Sequence, residues 1–396
     1  MELKLPDFAL VALFGSSDAL RAAFAAAAFG ADRLVCLSPA ARDDPQALRR
    51  ESGELRARLE ARRLAVLDAG PLKRVGREAI VALARKYHAP CAAIVLEEAG
   101  APGAYAGLAR EGFRVERLRA DEADAARITL VPLDCDRRGE HGPFDIIGDV
   151  HGCRAELETL LARLGYAPGR NGAWAHPAGR RAILLGDLVD RGPDITGVLR
   201  LAMAMVESGA ALAVPGNHDL KLARKLLGHN VKINGGLAES LAQLAALPGP
   251  ERDRLQAALP EFFERLPSHL WLDGGRLVTV HAGLEERMQG RESSAVRAFA
   301  LYGDPTGETD AYGLPVRRDW AAGYRGTAAV VYGHTVVPRA EWINNTICLD
   351  TGCVFGGALS ALRYPERELV EVPAARVYYA SVRPLERPAG TLRAAE

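Results

Sequence analysis

The sequence lacks a net charge, because its 50 basic and 50 acidic residues cancel. The chain therefore has no overall positive charge that would indicate a nucleic-acid partner. Any such substrate would have to be held by a local basic patch. The sequence also lacks a signal-peptide pattern and any apolar run of roughly 18 residues or more. These absences predict a cytoplasmic protein that does not enter a membrane.

Closely paired cysteines are absent too. The chain has six cysteines and no CxxC pair, which predicts reduced thiols and argues against a zinc cluster. At 396 residues the chain is long enough for two domains with separate cores. The scattered cysteines are Cys36, Cys91, Cys135, Cys153, Cys348 and Cys353.

The second half of the chain contains six apolar runs, each ending in a polar residue that can bind a metal. Each run has the length and β-branched content of a buried strand and stops at a glycine turn. Ligands at the ends of successive buried strands collect along one rim of a sheet, where α/β proteins place their sites. The runs are DIIGDVHG (145–152), AILLGDLVDRG (182–192), ALAVPGNHD (211–219), RLVTVHAG (276–283), AVVYGHT (329–335) and TICLDTG (346–352).

Five of these runs supply oxygen and imidazole ligands suited to two divalent cations. We predict that Asp187, central in GDLVDRG, bridges the two ions, because one carboxylate can reach both. The sixth run supplies Asp350, a carboxylate expected to support the ligands from behind. Mixed oxygen and nitrogen ligation suits manganese and is also compatible with iron, nickel or cobalt. The other predicted ligands are Asp149 and His151 for one ion, and Asn217, His281 and His334 for the second.

Three neighbouring residues complete a predicted phosphoryl-transfer site. Arg191 offers a planar fork to two phosphate oxygens. His218 is placed to protonate the leaving oxygen as a general acid, and Asp190 is expected to accept a hydrogen bond from it and keep it cationic. Two cations about 3.5–4 Å apart activate water and neutralise charge on a phosphoryl group. The sequence therefore predicts a two-metal phosphoesterase.

The chain also divides by pattern. Residues 8–130 alternate apolar runs with amphipathic helical stretches, a βαβ series that predicts a parallel sheet. The charged stretch 134–143 follows as a linker, and a helical segment at 220–266 is expected to cap the site. We predict domains at 1–136 and 137–380, and a poorly ordered tail at 381–396.

The motifs GDVHG, GDLVDRG, GNHD, HAG and GHT, in this order, resemble the phosphoprotein-phosphatase branch of the calcineurin-like metallophosphoesterases. Residues 141–153, 297–320, 324–335 and 350–374 are more similar still to the central domain of bacterial polynucleotide kinase-phosphatases. This resemblance implies an αββα sandwich and a manganese-dependent enzyme. Such an enzyme removes 2′- and 3′-terminal phosphates and opens 2′,3′-cyclic phosphates on RNA 3′ ends. The resemblance implies the same roles for the residues above, including Asp350.

The N-terminal domain resembles the kinase domain of the same family with its chemistry removed. A P-loop needs GxxxxGK[ST], but here Leu20, Arg21 and Ala22 take the last three positions, and Asp18 places an acid in the loop. The arginine-rich lid of that family is also missing from residues 97–109. We therefore predict an α/β, P-loop-kinase-like domain that transfers no phosphate from ATP.

The ligase module of that family is absent as well, because it needs a nucleophilic lysine and no lysine follows Lys232. The leading hypothesis is an RNA end-healing phosphatase that works with a separate RNA ligase and an RNA-ribose methyltransferase. Within its phosphatase domain, Asn-Gly-Gly at 234–236 replaces an expected histidine-bearing turn. Arg317, Arg318 and Arg325 are candidates for holding RNA.

Two other functions stay open from the sequence. A protein serine/threonine phosphatase or a dinucleoside tetraphosphatase would share all five motifs. A non-catalytic scaffold subunit of an RNA repair complex is the third hypothesis, although the intact ligand set argues against it. Neither the oligomeric state nor the physiological substrate follows from the sequence.

Overall fold

The structure is a computed structural model that describes residues 2–30, 33–36, 38, 44–70, 72–97, 105–123, 125–169 and 172–383. The chain forms two units. The first comprises residues 1–133 together with 291–295, and the second comprises 134–290 together with 296–396. The predicted tail at 381–396 lies largely outside the described residues, as does most of the segment 97–109.

The strands of the first unit form two parallel sheets. They are β1 Glu2–Pro6, β2 Leu10–Phe14, β3 Leu34–Cys36, β4 Ala65–Asp68, β5 Cys91–Glu97, β6 Arg114–Arg119 and β7 Arg127–Val131. A five-stranded sheet has the order β3-β4-β2-β5-β6, and β1 pairs with β7. The central strand β2 is buried at every position, as expected for a parallel sheet covered on both faces. The predicted parallel sheet is confirmed, whereas its kinase ancestry stays a prediction.

Helices follow the strands of the first unit in alternation. They are α1 Asp18–Phe29, α2 Pro45–Glu51, α3 Gly53–Glu60, α4 Arg74–Lys86, α5 Leu108–Glu111 and α6 Ala120–Ala123. The alanine-rich α1 begins at an N-cap, Ser17, whose hydroxyl accepts a hydrogen bond from Leu20 N at 3.1 Å. Phe24, Ala25 and Phe29 of α1 join the core cluster that also contains Val11 and Leu13 of β2.

Residues 291–295 belong to the first unit because Arg291 is anchored in it. The Arg291 guanidinium donates to the carbonyl oxygens of Leu59 at 3.0 Å, Tyr87 at 2.8 Å and Glu60 at 2.9 Å. Burial lowers the pKa of Arg291 to about 10. No sequence pattern predicts this return of the chain, because three separate carbonyl groups create it.

The second unit contains two larger sheets and two short hairpins. Its strands are β8 Asp136–Arg137, β9 Phe144–Ile147, β10 Ala167–Pro168, β11 Trp174–Ala175, β12 Arg181–Leu184, β13 Ala211–Ala213, β14 His269–Leu272, β15 Leu277–Val280, β16 Pro305–Thr309, β17 Pro315–Arg317, β18 Ala329–Tyr332, β19 Trp342–Ile343, β20 Thr346–Cys348, β21 Ala358–Tyr364 and β22 Glu368–Pro373. One sheet has the order β13-β12-β9-β21-β22, and the other has the order β19-β20-β18-β15-β14-β8.

The two larger sheets pack face to face and carry helices on their outer faces. Phe144 and Ile183 of one sheet share a buried cluster with Leu277 and Val331 of the other. Such a layered arrangement buries both faces of each sheet and matches the predicted αββα sandwich. The helices are α7 Arg154–Leu164, α8 Ile195–Glu207, α9 Asn217–Leu226, α10 Leu237–Ala245, α11 Gly249–Arg265, α12 Ser294–Tyr302 and α13 Trp320–Gly323.

The predicted helical segment at 220–266 corresponds to α9, α10 and α11, which begin directly after the strand end at β13. Their apolar residues, including Leu222, Leu244 and Phe263, join the core cluster on the outer face of the five-stranded sheet. Within the part of the chain that the structure describes, no helix is both long and apolar enough to cross a membrane.

Candidate metal centre

Six strand ends supply the side chains of the centre. In the five-stranded sheet, β9, β12 and β13 run parallel, and in the six-stranded sheet, β15, β18 and β20 also run parallel. Parallel strands end at the same edge of a sheet, so the residues that follow them are brought together. Those residues are Asp149 and His151, Asp187, Asn217, His281, His334 and Asp350, in the order of the strands.

The first ligand group consists of Asp149, His151 and Asp187, which are all buried. One ligand atom from each lies within 4.8 Å of the others. Nε2 of His151 is 3.5 Å from Oδ2 of Asp187. A carboxylate pair and an imidazole at this separation form a donor set that suits a divalent cation.

The second ligand group shares Asp187 with the first and adds His281 and His334. Nε2 of His281 lies 3.5 Å from Oδ1 of Asp187, 3.1 Å from Oδ1 of Asn217 and 3.0 Å from Nδ1 of His334. The two oxygens of Asp187 thus face different groups, which is the geometry that a bridging ligand requires. The structure therefore brings together all six predicted ligands.

Main-chain carbonyls orient two of the imidazoles. Nδ1 of His151 lies 2.7 Å from the Val189 oxygen, and Nδ1 of His281 lies 2.9 Å from the Leu185 oxygen. Each contact places the proton on Nδ1 and leaves the lone pair of Nε2 facing the centre. Nitrogen and oxygen lone pairs about 3 Å apart repel each other unless a cation or proton lies between them.

The electrostatics of the centre favour bound cations. Burial, reinforced by Asp350 and Asp187, raises the pKa of Asp149 well above its usual range. Burial also raises the pKa of Asp350 to about 6. Burial lowers the pKa values of His151 and His334 well below the ordinary histidine value, so these imidazoles are neutral ligands.

Asp187 is the exception among the acids of the centre. Burial opposes its ionisation, but four surrounding imidazoles, with His281 first, lower the pKa of Asp187 below its ordinary value. Among the described residues, Asp149, Asp187 and Asp350 form no ion pair with a lysine or an arginine. A buried cluster of acids and neutral imidazoles, in which no described arginine or lysine pairs with the acids, fits the two divalent ions predicted from the sequence.

Several residues of the centre lie in turns with a strained, left-handed backbone conformation. His151, Asp187, Asp190, Arg191 and His334 have positive φ angles of 42°, 47°, 73°, 70° and 68°. Non-glycine residues in this left-handed region cost about 1–3 kcal/mol each, and such residues cluster at functional sites. The sequence offered no signal for this strain, since glycine is the residue that usually marks such turns.

Two motif glycines make room for the carboxylates. A Cβ at Gly333 would collide with Oδ1 of Asp149, and a Cβ at Gly216 would collide with Oδ1 of Asp187. His334 N, next to Gly333, donates to Asp149 at 3.1 Å. The glycines of GHT and GNHD are therefore required by the close approach of ligands from other strands.

The predicted acid-base residues lie beside the ligands. Nδ1 of His218 is 2.5 Å from Oδ2 of Asp190, whose other oxygen accepts a hydrogen bond from the Ser240 hydroxyl at 2.5 Å. Arg191 contacts Nε2 of His218 at 2.9 Å and Nε2 of His151 at 2.7 Å. Nε2 of His218 therefore faces the guanidinium of Arg191, next to the ligand His151.

Two residues of the centre were missed from the sequence. Ser240 lies on α10, 50 positions after Asp190, and its hydroxyl donates to that carboxylate. No local sequence pattern indicates this contact. Asp219 accepts from Leu188 N and Gly216 N, both at 2.9 Å, and so ties together the loops after β12 and β13. The motif GNHD already contains Asp219, so this signal was available.

The predicted basic candidates differ in their surroundings. Arg317 is half-buried, donates from Nε to the Tyr302 oxygen at 2.8 Å, and contributes to lowering the pKa values of His281 and His334. Arg318 instead pairs with Asp304 at the surface, and Arg325 donates to the carbonyls of its own turn. Of these three, only Arg317 acts electrostatically on the centre.

The Asn-Gly-Gly turn lies beside the acid. Asn234 accepts from Lys221 Nζ through its main-chain oxygen at 2.7 Å, and a Cβ added at Gly235 would lie 3.7 Å from Cε1 of His218. Gly236 has φ 99°, and a side chain there would collide with Arg191. The turn therefore bears on the space beside His218 and supplies no ligand.

Comparison with known proteins agrees with this geometry. Residues 142–338 match the calcineurin-like phosphoesterase family, and the chain belongs to this family. Relatives named asymmetrical bis(5′-nucleosyl)-tetraphosphatase PrpE are 47% identical over 235 residues in Geobacillus sp. (strain WCH70) and 44% identical over 235 residues in Bacillus subtilis (strain 168). A third, from Halalkalibacterium halodurans, is 48% identical over 231 residues. The matches cover 58–59% of this chain and 94–96% of each relative.

These names refine the resemblance found in the sequence. The metallophosphoesterase domain is confirmed, and enzymes of this family use divalent metals. The relatives are named as dinucleoside tetraphosphatases and not as polynucleotide kinase-phosphatases, so RNA end healing gains no specific support. The matched family segment begins after the first unit, whose kinase-like nature and inactivity stay predictions.

Proposed function

We propose that the second unit hydrolyses dinucleoside tetraphosphates asymmetrically, releasing a nucleoside triphosphate and a nucleoside monophosphate. The observation that carries this proposal is the shared carboxylate of Asp187 between two ligand groups, next to the pair His218–Asp190. The names of the relatives support this substrate over the RNA ends favoured by the sequence.

Different residues of this chain bind the metals, bind the phosphate and donate the proton in phosphoryl transfer. Two divalent cations held by Asp149, His151, Asp187, Asn217, His281 and His334 would supply Lewis acidity to the phosphoryl group and to the attacking water. Arg191 binds two non-bridging oxygens through its planar fork. As the phosphorus–oxygen bond breaks, His218 donates its proton to the bridging oxygen that leaves. Asp190, held by Ser240, contacts Nδ1 of His218 and orients its ring.

A tetraphosphate chain also needs positive groups away from the reacting phosphorus. Lys221 lies one turn along α9 from His218, is partly buried, and is held by Asn234. Arg317 lies on β17, and its charge contributes to lowering the pKa values of His281 and His334. We assign both to the distal phosphates. A phosphomonoester or a cyclic phosphate has no second phosphate, so these two residues would favour a tetraphosphate over such substrates.

The test is a comparison of three substrates with full-length, manganese-loaded protein. Diadenosine tetraphosphate should be turned over with the highest kcat/KM, and the products should be ATP and AMP. Two further substrates are an RNA oligonucleotide ending in a 2′,3′-cyclic phosphate and a phosphoserine peptide. A higher kcat/KM on either of them, or ADP as the sole nucleotide product, would overturn the proposal.

RNA end healing is the second candidate. What supports it is the extended similarity of residues 297–320 and 350–374 to the kinase-phosphatase family, together with the parallel-sheet unit that precedes the centre. On this alternative, the cyclic-phosphate oligonucleotide would be the best substrate, and Lys221→Ala would leave its turnover unchanged. The separate RNA ligase and methyltransferase partners belong to this alternative alone.

A further inference from the structure

A second cluster of metal-binding side chains lies outside the centre described above. Cys153 and Glu156 stand at the beginning of α7, and Cys353 lies in the short 3-10 turn Cys353–Phe355 after β20. The two sulfur atoms and one carboxylate oxygen of Glu156 lie within 4.8 Å of one another. All three residues are buried, with exposed fractions of 0%, 3% and 2% in the order given by their numbers.

Glu156 has one oxygen without a partner. Oε1 accepts hydrogen bonds from Ala375 N at 3.0 Å and from the Tyr378 hydroxyl at 2.7 Å. Oε2 is buried and has no hydrogen-bond partner among the described residues. A buried carboxylate oxygen without a donor or a cation is unfavourable, so this oxygen indicates a missing positive charge beside the two thiols.

We propose that Cys153 Sγ, Cys353 Sγ and Glu156 Oε2 bind one thiophilic divalent cation such as zinc. Thiolates select zinc over the harder cations that suit the oxygen-rich centre. Tetrahedral bonds of about 2.3 Å place ligand atoms roughly 3.8 Å apart, which lies within the observed limit of 4.8 Å. The incoming ion displaces the two thiol protons to solvent, and its double charge is matched by the two thiolates, so the carboxylate keeps one excess negative charge at the site.

The role of this ion is structural. Cys153 follows the ligand His151 by two positions, and Cys353 follows Asp350 by three. Glu156 already holds the segment that contains Ala375 and Tyr378. The ion therefore ties together the loop after β9, the turn after β20 and the chain that follows β22. The absence of a CxxC pair concealed this site, because its two cysteines come from distant parts of the sequence.

The test is a cobalt(II) titration of full-length protein that has been treated with chelator and kept reduced. The proposal expects a thiolate-to-cobalt charge-transfer band in the near ultraviolet, because the other centre offers only oxygen and nitrogen ligands. Cys153→Ser and Cys353→Ser should each abolish the band. Glu156→Gln should weaken cobalt binding at this site about tenfold or more, while its amide oxygen keeps the bond from Tyr378.

Matched variants control for the other buried cysteines. Cys135→Ala and Cys348→Ala remove buried thiols outside the cluster and should keep the band. Far-ultraviolet circular dichroism checks that each variant folds. If a serine variant does not fold, Glu156→Gln is used in its place to test the site. Absence of the band in the wild type overturns the proposal, and so does its survival in Cys353→Ser or its loss in Cys348→Ala.

Discussion

The two units differ in the charged side chains that lie at the ends of their parallel strands. In the first unit, the space between the ends of β2 and β4 is filled by the fully buried Arg21. Its Nε donates to Asp68 at 2.5 Å, and its two Nη groups donate to Gly15 O and to Asp18. In the second unit, Asp149, Asp187 and Asp350 form no ion pair with a described arginine, because Arg191 contacts the imidazoles of His151 and His218 instead.

The difference shows what decides whether a strand edge can bind an external ligand. Burial opposes the charge of Arg21, but Asp68 and Asp18 outweigh it and raise the pKa of Arg21. The arginine thus neutralises the two carboxylates beside it and fills the space between the ends of the two strands. In the second unit no described arginine or lysine is paired with these three carboxylates, which leaves them open to cations from solution.

The largest expected effect comes from removing the shared carboxylate. Asp187→Asn should lower kcat by about a thousandfold or more, because it removes a ligand from both metal positions at once. The measurement is manganese-dependent hydrolysis of p-nitrophenyl phosphate, together with the metal content of the dialysed protein. Asp253→Asn, at an exposed position, should match the wild type. Normal activity in Asp187→Asn would remove the basis of the two-metal site.

The acid provides the next effect. His218→Asn should lower kcat on phosphomonoesters with poor leaving groups by about 10²–10⁴-fold while metal content stays unchanged. With p-nitrophenyl phosphate the loss should be smaller, because p-nitrophenolate leaves without protonation. The control is His229→Asn at an exposed position. An equal loss on both kinds of substrate would contradict the acid role and indicate a binding role.

The internal cation of the first unit should matter for stability rather than for hydrolysis. Arg21→Ala removes the guanidinium from the buried carboxylate of Asp68, which should destabilise the first unit by about 3–5 kcal/mol. Hydrogen exchange of β2 amides measures this loss, and the double variant Arg21→Met/Asp68→Leu should recover most of it. Unchanged exchange in Arg21→Ala would show that the ion pair does not support the unit.

The smallest effect concerns the cations of the second unit. Manganese at about 100 times the Kd of one metal position should stabilise the second unit by about 2.7 kcal/mol for that position, because the ion binds only the folded centre. Tryptophan fluorescence in urea reports on this unit selectively, since Trp174, Trp271, Trp320 and Trp342 all lie in it. Asp187→Asn should lose most of the stabilisation, and an undiminished gain in that variant would place the manganese elsewhere.

Much of the centre could be predicted because its signals are local. Each ligand directly follows a short apolar run and a glycine turn, so one short stretch of sequence predicts both the strand and the ligand at its end. The assignment of residues 291–295 to the first unit was harder to predict. Arg291 returns to the first unit through three carbonyl groups, and main-chain acceptors leave no trace in side-chain patterns.

The substrate was harder still. The five motifs are common to enzymes that act on proteins, RNA and nucleotides, because they specify only the metal ligands and the phosphate contact. The residues that we assign to the distal phosphates, Lys221 and Arg317, lie on α9 and β17 outside the motifs. Their approach to the centre appears only once the sheets and helices are packed.

The sequence by itself determined the parallel strands, their order along the chain and the chemistry of the residues that end them, since these depend on periodicity and neighbouring turns. Only the tertiary structure decided that Ser240 supports Asp190, that Arg21 closes the edge of the first sheet, and that Cys153 meets Cys353. These contacts join residues far apart in the chain, and the packing of whole sheets and helices selects such neighbours.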